Sequence, residues 1–195
     1  MKDEIIRTAL EGYLRHGIRE ITITRLIAPL RISTKTFYKH FESKETLLEE
    51  CLRILYTNNL EKFSQIILGN GDPVNKLLNV FRSALQEDFG ISSTFYHDLN
   101  YYYPDLQDKA ISRISEKSGT LITSLVEQGI SEGYFISGVH PQIAVRGIGT
   151  LYSSITRNNQ YRDSRHGPDL LFDNLVETFV RGMCTDKGRR KIRNA

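Results

Sequence analysis

Along most of the chain, apolar residues recur at spacings of three and four, the period of helices with one buried stripe, and this predicts an all-α protein. Over residues 3–16, Ile5, Ile6, Ala9, Leu10, Tyr13 and Leu14 form such a stripe. Asp3 and Glu4 suit the positive end of that helix, and Gly17 is placed to end it with a left-handed residue. Ile18 and Ile21 plug the junction to a short second helix, for which Thr24 is the predicted N-cap and Leu26, Ile27 and Leu30 the buried face. After a tight turn, Ser33 caps a third helix whose apolar pair is Phe37 and Phe41. Ser43 caps a fourth, much longer helix carrying Leu47, Leu48, Cys51, Leu52, Leu55 and Tyr56, with the stripe continuing through Leu60, Phe63 and Ile67.

The Gly- and Asp-rich stretch 68–73 breaks the pattern, and helical spacing resumes at once from about 73 to 88, with Leu77, Leu78, Val80, Phe81, Ala84 and Leu85. Gly90-Ile91-Ser92 interrupts again, followed by Phe95, Tyr96, His97, Asp98, Tyr101, Tyr102 and Tyr103. A long helix is predicted over residues 104–132, in which Gly119 or Gly129 marks a bend or a close approach. A turn at 133–138 leads to a helix that Pro141 opens from its first turn, where its missing N–H costs nothing. Residues 158–168 read as a polar loop carrying Arg162, Asp163 and Arg165, and a last helix spans 168–183.

Charge changes this picture in one place. Between Ile21 and Phe41 stand Arg25, Arg31, Lys35 and Lys39 and no carboxylate. Two short helices joined by a tight turn, the second with a greasy back, a basic front and hydroxyls at its start, suit insertion into a DNA major groove. The plainer reading is a helical hairpin whose lysines are merely solvated; the helix–turn–helix spacing and the acid-free face favour DNA.

The run Thr24, Ile27, Ala28, Ile32-Ser33, Thr36-Phe37-Tyr38, His40-Phe41, Ser43-Lys44-Glu45 and Leu47-Leu48 resembles the N-terminal DNA-binding domain of the TetR/AcrR family of bacterial transcriptional regulators. The resemblance covers about the first fifty residues; beyond them it extends only to length and helical pattern. It implies a three-helix helix-turn-helix domain over residues 1–48 and a helical-bundle ligand-binding and dimerisation domain over 49–186, with 187–195 left as a basic, frayed C-terminal tail. The implied partners are a palindromic operator in double-stranded DNA, a second copy of the chain paired through the last two long helices, and a small-molecule effector of unknown identity. Thr34, Lys35, Thr36 and His40 are then expected at base edges or nearby phosphates, and Thr24, Tyr38, Lys39 and Lys44 in backbone positioning. Lys44 matches a lysine that meets a phosphate in the family. An effector pocket among the bundle helices makes Phe81, Phe95, Tyr102 and Tyr103 ligand-contact candidates, although aromatic residues at helix ends are more often core. Gly147 and Gly149 allow close helix contact at the dimer interface, or within one bundle.

Three residues depart from the family pattern. Arg31 and Lys35 stand where glycine is frequent, and Pro29 falls late in the second helix, where it removes a backbone hydrogen bond.

Composition adds bounds. The chain has 195 residues and a formal net charge of +3, too modest to argue for nucleic acid by itself. Cys51 and Cys184 each sit in an apolar helical pattern, which fits reduced, buried thiols and a cytoplasmic location. The N-terminal residues lack a signal-peptide core, and no window is apolar enough for a membrane span. No metal-ligand spacing, glycine-rich phosphate loop or nucleophile elbow occurs, and the five histidines are scattered, so neither an enzyme nor a cofactor is expected. His97-Asp98 reads as a chance neighbour pair. The alternatives are a chromosome-associated DNA-binding protein of the same architecture without an inducer, and a helical enzyme or carrier with a vestigial helix-turn-helix.

Overall fold

The computed structural model describes residues 1–157, 161 and 166–192. Its elements are α1 (Lys2–His16), α2 (Ile23–Ile27), a 3₁₀ turn (Ala28–Leu30), α3 (Thr34–Tyr38), α4 (Lys44–Leu68), α5 (Pro73–Gly90), α6 (Ser93–Tyr102), α7 (Pro104–Ser131) and α8 (Pro141–Arg157). They are followed by α9 (Pro168–Leu171), a π-helical stretch (Phe172–Glu177), α10 (Thr178–Gly182) and α11 (Asp186–Ile192). The fold is all-α; among the described residues the one isolated β-bridge joins Phe135 to Cys184. No helix among them is long and apolar enough to cross a membrane.

The chain packs as two compact units, residues 1–58 with 91–114, and residues 59–90 with 115–195. This grouping differs from a division at residue 48. Phe95, Tyr96 and Leu99 of α6 and Ala110 of α7 are buried in the same core as Ile5, Tyr13, Phe37 and Leu52, so the N-terminal helices share that core with α6 and the start of α7.

In the first unit, most helix ends follow local chemistry. Gly17 takes φ 85° and its N–H returns to the Tyr13 carbonyl at 2.9 Å, closing α1. A Cβ there would lie 2.6 Å from Thr94 Cγ2, so the loop lies hard against α6 and only glycine fits. Ser92 N–H donates to the Leu14 carbonyl at 3.0 Å, a second tie between the same elements. Ser43 Oγ accepts from Thr46 N–H at 3.2 Å while Thr46 Oγ1 accepts from Ser43 N–H at 3.1 Å, a reciprocal cap on α4. Glu49 of α4 accepts from Lys109 and Arg113 of α7 at 2.8 and 3.0 Å.

The second unit is built on α5, whose Val74, Leu77, Leu78, Phe81 and Leu85 are buried with Leu125 and Val126 of α7, Ile148 and Ile155 of α8, and Phe172, Val176 and Val180. Gly129 lies directly against the Phe135 ring, a close approach that any side chain would obstruct. The single last helix expected over 168–183 is instead interrupted by the π-helical stretch, flanked by Arg82 of α5, whose guanidinium lies over the Phe172 ring and beside Asp173 and Glu177. Of the C-terminal residues expected to fray, 187–192 lie in α11, while 193–195 lie outside the described residues. Ile192 is buried in this core and Lys187 donates to the Glu132 carbonyl at 2.7 Å, contacts that hold α11 in place. Of the polar loop expected over 158–168, Arg162, Asp163 and Arg165 lie outside the described residues.

Candidate nucleic-acid interface

The helix-turn-helix is built from two capped helices. The cap of α2 is Thr22, not Thr24: Thr22 has extended backbone and its Oγ1 accepts from Arg25 N–H at 3.2 Å. Thr24 lies one residue inside the helix, and its side chain is exposed. Pro29 ends α2 after Ile27, and the chain tightens into the 3₁₀ turn, whose geometry tolerates the missing donor. Arg31 then adopts φ 53°, ψ 34°, the left-handed conformation, and Ser33 caps α3 by accepting from Thr36 N–H at 3.1 Å.

Two rings anchor α3. Phe37 is wholly buried and Phe41 nearly so, their centroids 5.6 Å apart, and both belong to the first unit's core. With that back face fixed, the opposite one meets solvent. Thr34, Lys35, Tyr38, Lys39 and His40 are exposed and Thr36 is half-buried. Arg25 and Arg31 are exposed as well. Among the described residues none of Arg25, Arg31, Lys35 and Lys39 takes part in an ion pair. Four cations without an ion-pair partner among the described residues give this face a positive potential suited to polyanions.

Lys44, at the start of α4, differs from these. It is half-buried, its Nζ donates to the Arg19 carbonyl at 3.5 Å, and burial lowers its pKa below the ordinary lysine value. Arg19 in turn places its guanidinium 4.1 Å from the Tyr102 ring centroid.

The residues considered for an effector are not gathered in one place within either unit. Phe81 lies in the second unit's core. Phe95 is wholly buried in the first unit's core and Tyr103 packs against it, where burial raises the Tyr103 hydroxyl pKa, while Tyr102 is substantially exposed beneath Arg19. Gly147 faces its own protomer: a Cβ there would lie 3.1 Å from Phe179 Cζ, whereas Gly149 opens to space. Among the described residues no group of three or more His, Cys, Asp or Glu side chains is placed to hold a metal.

Asp98 carries a role that local sequence did not signal. Its carboxylate, within the aromatic cluster of α6, accepts from the backbone N–H groups of Ile18 and Arg19, so it fixes the loop leading into α2. His97 Nδ1 lies 3.7 Å from the other carboxylate oxygen, too far for a hydrogen bond.

Comparison with known proteins agrees with this geometry. Residues 5–51 match the family model described as "Bacterial regulatory proteins, tetR family". The chain is 20% identical over 148 residues to the HTH-type transcriptional repressor KstR2 of Rhodococcus jostii (strain RHA1), covering 74% of this chain and 72% of that protein. It is similar in fold to the ketosteroid transcriptional regulator KstR2 of Mycobacterium tuberculosis, with a TM-score of 0.65 at 18% identity, covering 95% of each chain. A TM-score of 0.72 at 17% identity relates it to the transcriptional regulator FadR from Bacillus subtilis in complex with stearoyl-CoA, covering 94% of this chain and 100% of that one. The helix-turn-helix domain assembled around α3, residues 5–51, thus matches the tetR family of bacterial regulatory proteins.

Proposed function

We propose that the protein is a homodimeric repressor that reads a palindromic operator and releases it on binding a small hydrophobic or amphipathic effector. The carrying observation is the exposed, acid-free face of α2 and α3, backed by Phe37 and Phe41. In this reading Thr34, Lys35, Thr36 and His40 meet base edges or adjoining phosphates, and Thr24, Tyr38, Lys39 and Lys44 hold the register on the backbone. Lys44 exchanges its long bond to the Arg19 carbonyl for a phosphate oxygen, which favours its charged form.

Dimerisation is assigned to α8 with α9 and α10, where Ile143, Leu170 and Phe179 leave apolar surface exposed. A two-fold particle then presents two copies of α3 to major grooves about 34–36 Å apart, one helical turn of duplex. The effector class is inferred from regulators of this fold whose names carry a ketosteroid and stearoyl-CoA. Phe81 supplies an apolar contact for it in the second unit. Phe95, Tyr102 and Tyr103 belong to the first unit, where Phe95 is core, Tyr103 packs against that core and Tyr102 lies against Arg19. Release requires the effector to prefer one shape of the dimer over the DNA-bound one, since equal affinity for both shifts nothing.

Selection of bound sequences from random duplex DNA tests this reading, followed by a screen of steroids and acyl-CoA esters for release. The expected result is an enriched inverted repeat and a compound that dissociates it. Retention of duplex with no enriched motif favours a chromosome-associated protein instead.

A further inference from the structure

We propose that Arg31 is a DNA-phosphate contact, held in the turn ahead of α3 by a backbone conformation that folding alone does not call for in an arginine. The inference rests on the reading of α3 as the element that enters the groove.

Among the described residues Arg31 is the one non-glycine residue with positive φ. Its N–H donates to the Ala28 carbonyl at 3.1 Å, and the left-handed step lets Leu30 and Ile32 on either side pack against the first unit's core. The fold therefore needs a chain reversal here. Glycine makes that reversal without strain, whereas a Cβ-bearing residue is disfavoured in the same conformation. Asparagine or aspartate would ease it by local hydrogen bonding; arginine has no such means.

Nor does the side chain repay the strain within the protomer. Arg31 is exposed and takes part in no ion pair among the described residues. It stands two residues before the Ser33 cap, in the helix–turn–helix segment that also carries the exposed Arg25, Lys35 and Lys39. When α3 docks, the turn leading into it approaches the sugar–phosphate backbone flanking the groove. A guanidinium there reaches one phosphate with two parallel N–H donors, a geometry that neither glycine nor asparagine supplies. This contact carries no base information, so it acts on every duplex alike.

The test compares wild type, Arg31→Gly and Arg31→Lys by fluorescence anisotropy on a labelled random-sequence duplex across a salt series, with thermal unfolding of each free protein. Arg31→Gly is expected to raise the unfolding midpoint by about 2–4 °C, because glycine takes the left-handed conformation without strain. The same variant is expected to bind about tenfold more weakly, with the log–log salt slope smaller by about one per protomer. Arg31→Lys keeps the charge and is expected to keep the wild-type slope. A glycine variant with wild-type affinity and slope overturns the assignment of Arg31 alone. A wild-type chain that binds no duplex overturns both this assignment and the reading of α3 beneath it.

Discussion

Asp98 Oδ2 lies 2.8 Å from the Ile18 amide nitrogen, eighty residues earlier in the chain, and 2.8 Å from that of Arg19. One buried carboxylate thus satisfies two donors in the loop between α1 and α2, for which no helix supplies partners. Asp98→Ala should destabilise the protein by about 2–4 kcal/mol, because it strands a buried amide and removes two charge-assisted bonds. Urea unfolding measures this, and Asp98→Asn, which keeps one acceptor oxygen, should fall between wild type and the alanine variant.

Tyr13 presents the opposite case. Its ring is wholly buried, its hydroxyl finds no hydrogen-bond partner among the described residues, and burial raises its pKa far above the ordinary tyrosine value. Tyr13→Phe keeps the packing and removes the orphan hydroxyl, so stability should rise by about 1 kcal/mol. A destabilised Tyr13→Phe in thermal unfolding would contradict this account of the core.

Glu49 gives stability a pH dependence. The bond from Lys109, supported by Arg113, holds its carboxyl pKa below the usual glutamate value. A depressed acid pKa stabilises the fold above the unfolded-state value near 4.5, and that stability is lost as pH falls through the folded-state pKa. Both cations are about half exposed, so the effect is limited to roughly 1 kcal/mol or less. Glu49→Gln should therefore be less stable than wild type at neutral pH and match it in strong acid; an equal gap at both would contradict the linkage.

Lys44 and Thr36 should separate backbone positioning from base reading. Lys44→Ala should weaken binding to every duplex and lower the salt slope by about one. Thr36→Ala should alter preference at one operator position by about 1–3 kcal/mol. Binding measured on the selected operator and on its single-base variants distinguishes the two patterns.

Ile143, 69% exposed on α8, tests the assembly. Ile143→Arg should leave the fold of each protomer intact and shift the chain to monomer in sedimentation, because a charge enters a desolvated interface. An unchanged sedimentation coefficient for a dimeric wild type would place the interface elsewhere.

Much of the fold was legible because its helices end on local chemistry. Gly17, Ser33, Ser43 and Pro141 act within a few residues of where they stand, so spacing alone locates them. Thr22 and Thr24 show the limit: two hydroxyls stand two positions apart, and the cap is the one with extended backbone, which composition does not encode. Asp98 was less legible still, since its partners are distant in sequence and are backbone groups with no residue signature. The π-helical stretch 172–177 was hidden for a similar reason: its apolar residues keep a helical spacing, and no proline or glycine marks the change. For the basic surface of α2 and α3, absence of acid between residues 21 and 41 was visible at once, whereas the conformation of Arg31 was only one of the turn geometries the sequence allowed.

The central claim is that the exposed face of α3 is the surface that meets duplex DNA. Reversing two exposed charges, Lys35→Glu with Lys39→Glu, leaves the buried Phe37 and Phe41 untouched, and its effect on duplex affinity is the most direct measurement. The account predicts at least about a hundredfold loss of affinity, since two attractive contacts become repulsive, with the circular-dichroism melt unchanged. Wild-type affinity in that variant would contradict it.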